Sequence, residues 1–470
     1  MPTTFARSLW LVVFLISGVW QTNFAQEATP WPPPLKGATK GTAVVEDKSF
    51  LDVPEKVAEL AAQAGSAKFV MAKTPPRVEI ALHEQLGTEA ATRRLWSSWG
   101  DIGIAKDGNV YVAIGDHGND VGGDARCFIY RWDPKVSQLT QIVDMNQVIP
   151  PKMGQPAWSK VHAKVDEGPD GMIYFSCTLN DGNRAKLPTH GFHDGLPGGQ
   201  VYRWDPKTGK TSVFASLPPR RCTATSILDQ ERNLWWCNLE SGEGNALWCL
   251  DMKTGKPVYQ GEDKSVGFNR NFALGNDGTI YFNGELNGED APIMRLNLAD
   301  KVIHKTNSVF KGSPGMRCTT RETKDHQIYG ITYKNTQLFR YDTRKDELEM
   351  LGSDWLAGSY VAVCELSPDE KYMYYLPGAH GKAWLDGTPV IQYEIATRTQ
   401  KVIAFLAPTL NKELEYVPGG TYGIKLSPDG SVLYVNFNGH PADRLRPAKM
   451  KPIGFGLTSF AAIHIPASER

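Results

Sequence analysis

The chain has 470 residues, with 51 basic against 51 acidic side chains. At the whole-chain level it offers neither the basic footprint of a nucleic-acid binder nor a solvating acidic tail. Its 45 Gly, 13 Trp and 17 Tyr suit many aromatic strands joined by tight turns, and its seven Cys show no CxxC or CxxCH spacing that would signal a zinc ribbon or attached haem.

The N-terminus reads as a signal peptide over residues 1–25. Arg7 supplies a positive start, and an apolar stretch follows at 9–20 (LWLVVFLISGVW), with cleavage after Ala25. That stretch is shorter than the ~20 residues a spanning helix needs, and no second long apolar segment follows. The expectation is an exported protein, secreted or periplasmic, without a membrane span. Residues 26–76 read as a linker that is Pro-rich at 30–34, with one short helix over 54–64 (PEKVAELAAQA) and Pro at its first turn.

From residue 77 onward the chain repeats itself. The first half of each unit is an apolar strand, a turn on Asp, and a strand carrying an aromatic: DIGIAKDGNVYVAI, AKVDEGPDGMIYFSC and IKLSPDGSVLYVNF are three of seven. The turn aspartates are Asp107, Asp170, Asp229, Asp277, Asp325, Asp369 and Asp429, separated by 63, 59, 48, 48, 44 and 60 residues. The second half is another aromatic strand and a turn into an outer strand, as in IYRWDPKVSQL, VYRWDPKTGKT and LFRYDTRKDEL. Two such halves make a four-stranded antiparallel sheet. Seven of them arranged radially predict an all-β, seven-bladed β-propeller over 77–470. The seventh unit ends at SFAAIHIP, one strand short, and the alternating segment at 77–82 (RVEIAL) is placed to close the ring from the N-terminal side. The cysteines sit mostly in strand-like runs and read as small buried hydrophobes, with at most one or two disulfides.

Counting back eight residues from each turn aspartate gives the start of each innermost strand: Trp99, His162, Arg221, Asn269, Arg317, Val361 and Thr421. Innermost strands line the central channel and open on one face, where the loops between second and third strands also emerge. Those loops hold His117, His190, His193, His380 and His440. Arg270, Tyr360 and Tyr422 fall on the same face, with Glu240 and Glu285 in nearby loops. The motif Arg-Cys-Thr occurs twice, at Arg221 and Arg317, and two guanidinium forks suit an anionic ligand. A single loop histidine is usually just solvated, and an arginine at a strand start often pairs with a neighbouring acid. Convergence of loops from five blades favours a functional site all the same. No phosphate loop, HExxH, GxSxG or EF-hand pattern points to another chemistry.

The units SPDGSVLYV and GPDGMIYF, with LFRYDT-like partners, resemble the propeller superfamily that includes virginiamycin B lyase, SMP-30-type lactonases and polysaccharide lyases acting on uronates. The resemblance spans roughly 77–466 and rests on blade motifs. It implies a propeller that acts on an anionic saccharide, with β-elimination beside a uronate carboxylate as the leading reaction. In that reading His162 is the base, assisted by Tyr360 or Tyr422. Arg221, Arg317, Arg270, Asn269, Trp99 and His117 bind substrate. His190, His193, His380 and His440 are candidate ligands for a divalent metal, zinc or manganese, with calcium the weaker candidate. The alternatives are a non-catalytic propeller that binds glycan or protein, and a metal-dependent lactonase or hydrolase. A monomer is expected.

Overall fold

Seven antiparallel sheets follow one another along the chain, each built from an inner to an outer strand. The computed structural model describes residues 31–63, 65–83, 96–100, 102–116, 126–150, 158–179, 198–219, 221–241, 244–262, 264–267, 269–356, 360–446 and 454–470. The expected signal peptide, His117, His190 and His193 lie outside the described residues. Together the sheets form the seven blades of a propeller, as the repeat predicts.

Burial explains the residue choice in each strand. Middle strands are sandwiched between neighbouring blades, so both faces are apolar: every residue of Val110–Asp116 (VYVAIGD) is buried. Outer strands meet solvent on one side, and Gln138–Asp144 (QLTQIVD) is largely exposed or half-buried. The turns form as the Asp-Gly pattern dictates. Asp107 accepts the Asn109 amide at 2.9 Å, and Asp429 accepts that of Ser431 at 3.0 Å. The next residue is left-handed, Gly108 at φ 87° and Gly430 at φ 72°, a conformation glycine adopts without strain.

The ring closes as expected. Arg77–Leu82 pairs antiparallel with Ser459–His464, Arg77 opposite His464 and Leu82 opposite Ser459, and completes blade seven with residues from both ends of the chain. Two features exceed the sequence reading of the N-terminal segment. Thr42–Glu46 adds a fifth strand outside Arg77–Leu82, and Phe69–Met71 adds a parallel fifth strand to blade six. The short helix spans Glu55–Ala61, with Pro54 just before it, and buries Val57 against the core between blades five and six. A helix absent from the sequence reading, Leu406–Leu414, links blades six and seven. It buries Leu406, Leu410 and Leu414, a spacing of four that places them on one face.

Side-chain amides tie blade to blade near the channel. Asn438 of blade seven accepts the Ser98 amide at 2.6 Å and donates to the Ser98 carbonyl at 3.1 Å. Asn283 of blade four makes the same pair with Met316, at 2.8 and 2.9 Å. Asn238 of blade three donates to the Asn269 carbonyl at 3.2 Å. All three amides are essentially fully buried. All seven cysteines are buried and none is in a disulfide.

Candidate functional site

One end of the channel holds a small pocket lined by eleven described residues, among them Trp99, His162, Lys164, Arg270, Arg317 and Tyr422. None of the eleven is a carboxylate. The cavity is narrow, with a volume of about 30 Å³. Beyond it, sharing Lys164, the channel widens into a second chamber edged by Asp166, Glu167, Arg321, Glu365 and Lys425, where Lys425 pairs with Glu365 at 2.9 Å.

The backbone aims the pocket residues through β-bulges, in which two residues of one strand face one of its partner and a side chain is redirected. The pairing of Met316–Thr319 with Gln327–Thr332 skips Arg317, and that of Tyr416–Leu426 with Val432–Pro441 skips Tyr422. In blade three the skipped residue is Ala224. These three residues line the pocket.

Arg317 is 3% exposed. Its Nε donates to the Tyr360 hydroxyl and its Nη1 to the Ala362 carbonyl at 2.8 Å. The guanidinium carbon also stands 5.0 Å from the Tyr360 ring centroid and 5.7 Å from that of Tyr422, at cation–π range. Arg270 faces His162 edge to edge, Nη1 2.6 Å from Nδ1 and Nη2 3.2 Å from Nε2, and donates to the Ala224 carbonyl at 3.1 Å. His162 therefore spends a lone pair on a guanidinium, which suits holding Arg270 in place more than abstracting a proton.

Aromatic rings form the rim. Trp99 stacks on Phe455 (5.6 Å, 13°) and meets Tyr422 at 4.7 Å. His380 lies over Tyr360 (4.5 Å, 27°), and the Tyr422 hydroxyl is 2.9 Å from its Nδ1. Burial, reinforced by Tyr360, pushes the Tyr422 phenol well above its ordinary range, so it stays protonated. His380 remains solvent-accessible. Its pKa lies below the usual histidine value because protein shields part of the ring and because Arg317, Arg270 and Lys382 oppose a further positive charge.

The residues expected at the site do not all reach it. Trp99, His162, Arg270, Arg317 and Tyr422 line the pocket, and Tyr360 and His380 adjoin it. Asn269 is fully buried, with its amide engaged by the backbone of Gly267 and Asn283. Arg221 is half-buried and outside the lining set, for a reason visible in its hairpin. Asp229 ends the strand Cys222–Asp229, and the left-handed residue is Asn233 (φ 56°), not residue 230. The turn thus sits three residues later than its aspartate suggests, and the corrected count reaches Ala224, which does line the pocket. His440 is buried beside Trp384, its Nδ1 2.8 Å from the Pro441 carbonyl. Among the described residues no three His, Cys, Asp or Glu side chains gather as a metal site. Lys164 in the pocket wall, Phe455 against Trp99 and Tyr333, edge-on to Tyr360 at 5.4 Å, escaped the sequence reading. Lys164 follows His162 by two residues in the break between the strands Trp158–Val161 and Asp166–Glu167, and that spacing was the available signal.

No known family's sequence pattern matches the chain, and no curated protein matches it. Among solved structures, an oligogalacturonate lyase in complex with manganese is similar at a TM-score of 0.51 and 11% identity, over 86% of this chain and 96% of that one. A Kuenenia stuttgartiensis hydrazine synthase is similar at 0.47 and 14% identity, over 75% and 97%. TolB from Acinetobacter baumannii gives 0.38 and 14%, over 75% and 79%. At 11% identity the first likeness is one of fold, the propeller itself. Among the described residues no helix is long and apolar enough to cross a membrane.

Proposed function

We propose that this chain is an exported propeller that binds the carboxylate of an anionic saccharide at the channel mouth and cleaves the saccharide by β-elimination. The observation that carries the reading is Arg317. A guanidinium buried to this depth costs several kcal/mol in desolvation unless an opposite charge compensates it, and its partners are a phenol and a backbone carbonyl. A bound carboxylate supplies the missing charge. In the same pocket, Arg270, steadied by His162, adds a second fork.

The reaction follows from the same charges. The proton α to a carboxylate is weakly acidic because its removal places a second negative charge beside the first. Cations fixed against the carboxylate stabilise that developing charge and lower the barrier. The solved propeller of similar fold that is named for oligogalacturonate cleavage supports the substrate class at the level of fold. It was solved with manganese, but the described residues of this chain do not assemble a donor set for such an ion. His380 is turned to Tyr422, and His440 to a backbone carbonyl. No step proposed here runs through a metal.

Purified protein should be incubated with pectic, alginate, ulvan and glycosaminoglycan substrates, with and without added manganese or zinc, while the ultraviolet absorbance of unsaturated uronate is followed. Growth of that absorbance with at least one substrate is expected. A flat trace on all of them removes the lyase reading. Binding of a uronate without turnover would then assign the chain to saccharide recognition.

A further inference from the structure

We infer that His380 and Tyr422 form the proton-carrying pair of this site, the imidazole taking a proton from carbon and the phenol giving one to the departing oxygen. The inference rests on the β-elimination reading above and assigns its acid and its base.

Three observations carry it. The two groups are bonded to each other, the Tyr422 hydroxyl 2.9 Å from Nδ1 of His380 and 3.4 Å from Nε2. They stand beside the pocket from different blades, because the bulge at Tyr422 turns a 6% exposed phenol onto its wall while His380 stays open to solvent at the rim. Their orientation is fixed: the imidazole is stacked on Tyr360, and Tyr360 is in turn held by Arg317. Protonation states match the roles. The groups that face His380 are the rings of Tyr360, Tyr422 and Trp99 and the cations Arg317, Arg270 and Lys382. They favour a neutral imidazole with a lone pair to offer, and burial keeps Tyr422 a phenol with a proton to give.

The step balances without a co-reactant. With the uronate carboxylate against Arg317, His380 takes the proton from the adjacent carbon. The freed electron pair forms the new carbon–carbon double bond, and the bond to the leaving oxygen breaks. Tyr422 donates its proton to that oxygen. In this step Nε2 of His380 takes the carbon proton, and the Nδ1 proton of the imidazolium then crosses the existing hydrogen bond to the phenolate. Both groups are left neutral, with the imidazole as its Nε2–H tautomer, and exchange with solvent at the exposed ring restores the Nδ1–H form for the next turnover. The net transfer is one proton from carbon to oxygen. Because acid and base lie side by side, the two groups lost from the sugar must leave from the same face of the ring.

The test uses the full chain and whichever uronate polymer the wild type cleaves, with Tyr422→Phe, His380→Gln and the double variant. Each single variant is expected to lose about 10²- to 10⁴-fold in kcat, while a saturated uronate methyl glycoside binds within about threefold of wild type. The double variant should be no slower than the worse single by more than a few fold, since groups acting as one unit do not contribute separately. The acid limb of the wild-type kcat profile should vanish from the residual activity of His380→Gln. That variant lies at an exposed position, so it keeps the test decisive even if Tyr422→Phe folds poorly. A wild type that turns over beside a His380→Gln variant keeping more than about a tenth of kcat overturns the pair and leaves the reaction standing. So does multiplication of the two losses. A wild type that cleaves no uronate overturns the reaction and the pair together.

Discussion

The Arg317 guanidinium lies 5.0 Å from the ring centroid of Tyr360 and donates its Nε–H to the hydroxyl of that same residue. The phenol thus screens the charge with its ring and orients it with its oxygen, but it carries no opposite charge. The fold therefore buries a cation whose hydrogen-bond partners are uncharged, at a cost to its own stability; in the proposed function a bound carboxylate makes up that cost. Arg317→Met tests both halves of that trade. Affinity for a uronate methyl glycoside, measured by calorimetry, should fall at least about 30-fold, as for loss of a charge-assisted fork. The melting temperature should hold or rise. Arg221→Met, the second copy of the motif, should change affinity less than about twofold. Equal losses at both positions would show that Arg317 has no special place.

The inter-blade amides predict where the ring is weakest to mutation. Asn438 exchanges two hydrogen bonds with the backbone of Ser98 and is fully buried. Asn438→Ala strands a buried amide and a carbonyl between the last blade and the first, which should cost about 2–6 kcal/mol at ~1–3 per orphaned group. Asn283→Ala should cost a similar amount between blades four and five. Chemical denaturation reads both. A loss under about 0.5 kcal/mol in either would mean that water replaces the amide without penalty.

How much of this was legible beforehand depends on local chemistry. The blades were legible because an Asp-Gly turn between an apolar and an aromatic strand writes its geometry in adjacent residues, and the closing strand because the seventh unit lacked one. The count placed three channel positions correctly, Trp99, His162 and Arg317. A regular turn was not sufficient, however: in blade four Gly278 follows Asp277 as expected, yet Arg270 and not Asn269 lines the pocket. Arg221 failed because a longer hairpin moved the turn past its aspartate. Tyr422 rather than Thr421 reached the pocket because a bulge adds a residue without changing composition. The helix Leu406–Leu414 was hidden by its β-branched and aromatic neighbours, although its period of four was present. Of the histidines expected to hold a metal, His380 is turned to Tyr422 and His440 to a backbone carbonyl, while His190 and His193 lie outside the described residues.

The strand that closes the ring carries acid-sensitive contacts. Burial would raise the Glu79 carboxyl, but hydrogen bonds from His464, Ser137 and Arg77 outweigh it and hold the group at about 2. A depressed acid contributes its stability above the unfolded value and loses it as pH falls towards the folded one. At the end of the same strand His83 is fully buried with its ring edge-on to Tyr130, and burial lowers it to about 3. The unfolded ring takes a proton below its ordinary value of 6.5 and the folded one does not, so this contribution is lost as pH falls from there towards 3. Stability should decline in two overlapping steps, at most about 1.4 kcal/mol per pH unit for each group. His83→Phe should flatten the step between pH 6.5 and 4.5, and Glu79→Gln the step below it. Urea melts at half-unit intervals would detect each, and an unchanged profile in His83→Phe would show that its ring does not titrate on unfolding.

Asp354 predicts the opposite slope. It is fully buried between blades five and six beside Trp355, and neither carboxylate oxygen makes a well-formed hydrogen bond among the described residues. Burial pushes its pKa well above the ordinary range, against weaker help from Thr336 and the Trp355 backbone. In the unfolded chain the group ionises near its ordinary value of 3.8, while burial in the folded chain favours the protonated form to a higher pH. Stability is therefore full below that value and declines as pH rises towards the folded pKa. Asp354→Asn keeps the shape and removes the charge, so it should stabilise the protein at pH 7 while changing little at pH 4. If the gain were equal at both pH values, or absent at pH 7, the carboxyl would have to be ionised in place by a partner or solvent, and the loop between these blades would be more open than its packing shows.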